Sequence, residues 1–198
     1  MSPKKVLVVA PLLSKSGYGV HSRFVVDALS TRPDLFDLYV SPLTWGESSW
    51  MYEDTAKRKY YDFLIKKLAT FQGPFDLSVQ VTVPTEWQNH AKINVGVTAG
   101  VETNKIPLDW LRRGNSMDKI IVTSKHTADT FLGTKYDIKS ETTEEVLSLV
   151  GCQKPVEVVG YPVKNLEPED LSDKIKLDSK FNFLSITQLA PRKNMESL

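Results

Sequence analysis

Apolar positions along the chain switch between a strand-like and a helix-like period, and the switching predicts the order of elements. Val6 to Ala10 is an unbroken apolar run rich in β-branched residues, which suits a strand covered on both faces. Pro11 ends it, and Ser14, Ser16, Gly17 and Gly19 mark a loop. Val20, Phe24, Ala28 and Leu29 then share one helical face, until Pro33 stops the pattern. Asp37 to Ser41 reads as a second strand, closed by Pro42. Tyr60, Phe63, Leu64, Leu68 and Phe71 step by three and four, predicting a helix over 53–71 that Gly73-Pro74 breaks.

Leu77, Val79, Val81 and Val83 alternate with polar residues and predict a strand over 76–83. Further strands are expected at 93–98, 120–123 and 156–159, with helices from Pro107 and from Ser124 to about Leu132. Thr142-Thr143-Glu144-Glu145 reads as a capping signal before Val146, Leu147 and Leu149. Strands alternating with helices imply an α/β, Rossmann-like doubly wound parallel sheet. Residues 161–180 are rich in prolines, acids and lysines without a period, and read as a linker. Phe181 to Ile186 reads as a fresh strand. The expected organisation is a first domain over 1–163, a linker over 164–180, and the start of a second domain over 181–198.

Composition narrows the function classes. Hydrophobic residues make up 41% and charged residues 25% of the 198 positions, ordinary values for a chain with a core. The formal charge of +1 argues against a dedicated nucleic-acid binder. Cys152 is the single cysteine, so neither an intramolecular disulfide nor a paired-cysteine zinc site can form. No apolar stretch reaches the roughly 20 residues a membrane helix needs. The short run after Lys4-Lys5 is a strand rather than a signal peptide, and the expected location is cytoplasmic.

Five segments carry candidate chemistry. Ser16-Gly17-Tyr18-Gly19-Val20-His21 lies between the first strand and the first helix, where open α/β sheets bind ligands and a helix N-terminus favours anions. Its spacing, G-x-G-x-x-S with Ser22 last, is an incomplete dinucleotide fingerprint. Glu102 and Thr103 follow a strand and precede a helix; Glu102 could act as a general base if burial raised its pKa, and is otherwise a solvated carboxylate. Ser124-Lys125-His126 opens a helix, with the serine as its cap. Trp45 and Trp50 sit in an irregular aromatic loop able to stack on a sugar or base, or to cover core. Arg192-Lys193 suits a diphosphate, or is two solvated charges.

In order and spacing these segments resemble the group 1 retaining glycosyltransferases of the GT-B fold. The likeness runs from Lys5–Val9 and the glycine loop, through Glu102 to Pro107 with Trp110 and Asp118 to Lys125, to Val156–Val163 and Phe181–Lys193. The resemblance implies an N-terminal, acceptor-side domain. It implies that a sugar moves from a nucleotide-diphosphate donor to a sugar, lipid or protein acceptor with retention, with no metal or resident cofactor. Gly17, Tyr18 and Gly19 would meet the donor's diphosphate, and Arg192 and Lys193 would add cations. Glu102 stands where many relatives carry a catalytic histidine, and His21 is the other catalytic candidate. Trp45, Trp50, Thr103 and Ser124 would lie on the acceptor side. The donor would be held mainly by a second domain, so the chain alone is expected to show little or no turnover. The face left by that domain would be open to self-association, with peripheral membrane contact left open. Two other readings stand beside this one. A dinucleotide-dependent oxidoreductase needs an acid closing the second strand, where Ser41 and Pro42 stand instead. A non-catalytic α/β binding module needs no such residue.

Overall fold

The computed structural model describes residues 2–139, 146–163, 167–170, 174–177 and 179–186. The chain divides into two compact units, Met1–Pro162 and Val163–Leu198.

The first unit is an α/β, Rossmann-like, doubly wound sheet. Six strands lie parallel in the order β2-β1-β3-β4-β5-β8. In chain order they are β1 (Lys4–Ala10), β2 (Phe36–Pro42), β3 (Phe75–Val81), β4 (Ala91–Thr98), β5 (Lys119–Val122) and β8 (Val156–Val158). The helices are α1 (Gly17–Ser30), α2 (Ala56–Ala69), α3 (Leu108–Ser116) and α4 (Lys125–Gly133). From β1 the chain first steps to β2 on one side, then returns to β3 on the other. The order therefore reverses between β1 and β3, the place where open α/β sheets form a ligand crevice at their strands' carboxyl ends.

Alternate residues of a strand face opposite sides. Val6, Val8, Ala10, Leu38, Val40, Val79, Val81 and Val97 share one buried cluster with Val26 of α1 and Tyr61 and Leu64 of α2. On the other face, Ile120 and Val122 join Leu111 of α3 and Ala128 and Phe131 of α4. Each such aliphatic side chain contributes about 1.5–3 kcal/mol when fully buried. Leu7, Val9 and Tyr39 turn away from the first cluster and meet Leu68 of α2, with Phe71 and Phe75. Helix α2 thus contacts both sides of β2, and Lys67 donates to the Leu38 carbonyl at 3.3 Å and pairs with Asp37. It covers the edge that β2 would otherwise expose.

The link from β3 to β4, residues 82–90, contains only a single 3-10 turn, Pro84–Glu86. It is shorter than the dozen or so residues a parallel connection usually takes. Side chains hold it instead. The Gln80 amide bonds both polar groups of the Gln88 backbone, donating to its carbonyl at 2.6 Å and accepting from its N–H at 2.9 Å. Asn94 Oδ1 accepts from the backbone of His90 at 2.9 Å and Ala91 at 3.0 Å, and from Ser78 Oγ at 2.8 Å. Trp87 lies over Gly96 so closely that a Cβ there would stand 2.6 Å from the indole, which is why the position is glycine.

Two expectations change. Val146–Gly151 is a strand, β7, rather than a helix; it pairs antiparallel with β6 (Lys135–Lys139). Tyr136 and Val150, opposite one another in that pairing, pack on the α3–α4 cluster, which gives the hairpin its apolar anchor. The capping signal at 142–145 lies outside the described residues. In the second unit, Phe181 to Ile186 form no strand. No described strand of that unit offers them a hydrogen-bonding ladder, so the apolar pattern lacks a partner. Their local order is a turn, in which Ser179 Oγ donates to the Phe181 carbonyl at 2.8 Å and the Phe181 and Phe183 rings meet edge-on.

Candidate functional site

The β1–α1 loop is built from its own polar groups. Ser16 caps α1, its Oγ accepting from the Gly19 N–H at 3.1 Å. The buried Ser14 hydroxyl lies 2.8 Å from Ser16 Oγ and 2.7 Å from Ser48 Oγ. Arg23 reaches back one turn and donates to the Leu12 and Ser14 carbonyls at 2.8 and 2.7 Å. The aromatic loop is laced alongside: Lys15 N–H donates to Ser49, Met51 N–H to Leu13, and Ser14 and Trp50 form an antiparallel bridge. Trp50 packs partly into the main core.

The two glycines do different jobs. A Cβ on Gly19 would stand 2.0 Å from the Ser14 carbonyl oxygen, so Gly19 is needed for helix and loop to touch, and its amide is already used by the cap. Gly17 is exposed and faces open space. The N–H groups of Gly17 and Tyr18 open the helix and have no bond to any described acceptor, as the first turn of a helix leaves them. They form the positive end of a 14-residue helix that begins just past the carboxyl end of β1.

Tyr18 joins this loop to the next strands. Its hydroxyl lies 2.9 Å from Thr98 Oγ1 and accepts from the Ala99 N–H at 3.2 Å. Burial pushes its pKa up, so the phenol is neutral near pH 7. Its ring rests 4.4 Å from that of Trp45. Beyond Ala99 the rim continues, because Thr127 Oγ1 donates to the Ala99 carbonyl at 3.2 Å and Ser124 caps α4 through the Thr127 N–H. His126 Nε2 sits 3.2 Å from the Thr103 carbonyl.

The structure therefore brings Gly17, Tyr18, Gly19, Trp45 and Trp50 together, and links them through Thr98 and Ala99 to the Ser124 and Thr103 neighbourhood. Glu102 is exposed and has no polar partner among the described residues. It lacks the burial that the general-base reading required. His21 is 7% exposed, with Nδ1 unpartnered and the Tyr161 ring edge-on at 4.8 Å. Burial lowers its pKa and keeps it neutral. Arg192 and Lys193 lie outside the described residues. Sequence reasoning missed Arg23 and Thr98. Arg23 had a signal: a loop of several residues before a helix leaves carbonyls that need donors, and an arginine seven positions past the cap reaches them. Thr98 had none, since its role depends on strand order.

Among the described residues, no cluster of His, Cys, Asp and Glu could hold a metal ion, and no helix is long and apolar enough to cross a membrane. No protein-family model, curated protein or solved structure matches the chain.

Proposed function

We propose that the chain binds the diphosphate of a nucleotide sugar at the N-terminus of α1, as the acceptor-side half of a retaining glycosyltransferase. The observation that carries this reading is the pair of unspent N–H groups of Gly17 and Tyr18, aimed from a long helix at the topological switch point. Such donors stabilise the charge that develops on a departing diphosphate. The Tyr18–Trp45 pair gives an aromatic wall on which a sugar or base stacks. Glu102 and His21 have no assigned step: the first is solvated, and the second is enclosed.

The test is calorimetry with UDP, GDP, UDP-glucose and NADH on the wild type and on Gly17→Pro. Proline suits the first helical position, and a Cβ at 17 meets nothing. The substitution removes one N–H while the preceding Ser16 keeps its extended backbone, at φ −67° and ψ 167°. The expected result is binding of nucleoside diphosphates, weakened about tenfold in the variant, with the fold unchanged or slightly stabilised. Absence of any diphosphate binding, or equal binding by the variant, overturns the proposal. NADH binding without a diphosphate response would favour the oxidoreductase reading.

A further inference from the structure

The N-terminal turns of α1 hold one group that the proposed diphosphate contact does not use. His21 is 7% exposed, and its Nδ1 has no hydrogen-bond partner among the described residues. It stands three and four positions past Tyr18 and Gly17, whose N–H groups open the helix. Positions at that spacing share one helix face, about 5–6 Å apart, and a helical side chain leans toward the N-terminus. The imidazole therefore lies over the turn that carries the two open N–H groups.

The surroundings of the ring supply no charge. Tyr161, from the segment after β8, meets it edge-on at 4.8 Å, and the Tyr161 phenol also acts on that of Tyr18. On its own helix, Tyr18 is a neutral phenol turned to Thr98 and Ala99, and Arg23 is turned back to the Leu12 and Ser14 carbonyls. The Glu86 carboxylate acts on Tyr18 and not on His21. Burial holds the ring below its ordinary pKa. An imidazolium here would also face the positive end of the helix. An anion seated on the Gly17 and Tyr18 N–H groups answers both effects. It cancels the repulsion from the helix end, and its field offsets the desolvation of the charged ring.

We propose that His21 is a proton-linked sensor of the anion at the α1 N-terminus: the anion and a proton on the imidazole bind cooperatively, so anion affinity rises as the pH falls. The inference rests on the reading of that terminus as an anion site, and adds its regulation. The coupling is reciprocal, so the bound anion holds the proton on His21 as strongly as the proton tightens the anion.

The probes are UDP-glucose, whose diphosphate is esterified at both ends, and sulfate; neither changes charge between pH 5.5 and 8. Imidazole NMR on the wild type follows His21 against the exposed His90 and His126, with and without each probe. Calorimetry at pH 8, 6.5 and 5.5 follows affinity in the wild type and in His21→Gln, which stays polar and does not titrate. In the free protein His21 should titrate below His90 and His126, and a bound probe should move it upward by more than either. Wild-type affinity should rise about fivefold or more from pH 8 to 5.5, and less than about twofold in the variant. Where the variant does not fold, the wild-type NMR titration decides alone. A His21 titration unmoved by a bound probe, or a pH dependence kept by folded His21→Gln, overturns the proposal and leaves the anion site standing. Failure of both probes at every pH overturns the anion site and this inference with it. Proton-linked sulfate binding without UDP-glucose binding supports this inference and overturns the diphosphate reading.

Discussion

The two faces of the sheet are closed by different physics. Where α1 packs, the strands present an aliphatic surface, Val6, Val8, Val79, Val81 and Val97, and apolar burial is the main hold of helix on sheet. Across β3 and β4 the opposite face presents Ser78, Gln80, Thr82, Asn94 and Thr98, all buried and all hydrogen-bonded. A helix satisfies its own backbone and asks the sheet only for apolar area. An irregular link does not, so the strands beneath it must supply donors and acceptors. The polar seam is the counterpart of the missing crossover helix.

The largest expected effect is at the centre of the seam. Asn94→Leu removes the acceptor of three donors, and also the Nδ2 bond to the Ala91 carbonyl at 2.9 Å. Leaving several of these groups unpaired should cost about 3–5 kcal/mol. Val79→Ala on the apolar face loses two buried methyl groups and should cost about 2 kcal/mol. Urea denaturation of the two variants is the comparison. A smaller loss for Asn94→Leu than for Val79→Ala would mean that the link is held by packing, and the contrast between the faces would fail.

The same contrast explains what could be read in the sequence. The six parallel strands and four helices of the first unit were legible, because runs such as Val6–Ala10 are unbroken and the α2 stripe carries a clear period. Leu77, Val79 and Val81 alternating with Ser78, Gln80 and Thr82 also predicted a strand, but such alternation ordinarily means one wet face. Here both faces are dry. The reason lies in the link at 82–90, whose backbone needs cannot be seen from β3 itself. The hairpin of β6 and β7 was hidden because Lys135-Tyr136-Asp137-Ile138-Lys139 shows little hydrophobicity, and its anchor on α3 and α4 is tertiary. At the candidate site, the loop, the Ser16 cap and the aromatic segment were legible as neighbours in the chain. That Tyr18 bonds Thr98 was not, since it requires β4 to stand two strands from β1.

Among the described residues, each region also holds one buried side-chain nitrogen without a partner: His21 Nδ1 on α1, and Trp87 Nε1 over the seam. His21 makes part of the stability pH-dependent. Its pKa falls below the usual 6.5 on folding because burial penalises the charged ring. The unfolded chain therefore binds the proton more readily than the folded one. The contribution is complete above about pH 6.5 and is lost as the pH falls below it, toward the folded-state value. Denaturation midpoints at pH 8 and 5.5 should fall more for the wild type than for His21→Gln, which does not titrate. Equal falls would show that the ring is solvated or partnered.

The smallest effect is expected for Trp87→Phe. The side chain is fully buried and fills the space above Gly96, so Trp87→Ala should cost about 3–5 kcal/mol. Trp87→Phe sets two terms against each other. It removes part of the indole and leaves a small cavity, a cost of about 1–2 kcal/mol by the same scaling. It also removes an N–H whose desolvation is uncompensated, a gain of about 1–3 kcal/mol. The net change should lie within about 1 kcal/mol of zero in urea denaturation. A loss close to that of alanine would mean that the indole N–H is satisfied in solution, by a water bound inside the seam. The polar side of the sheet would then be complete without exception, and His21 would be the one unpaired buried nitrogen left among the described residues.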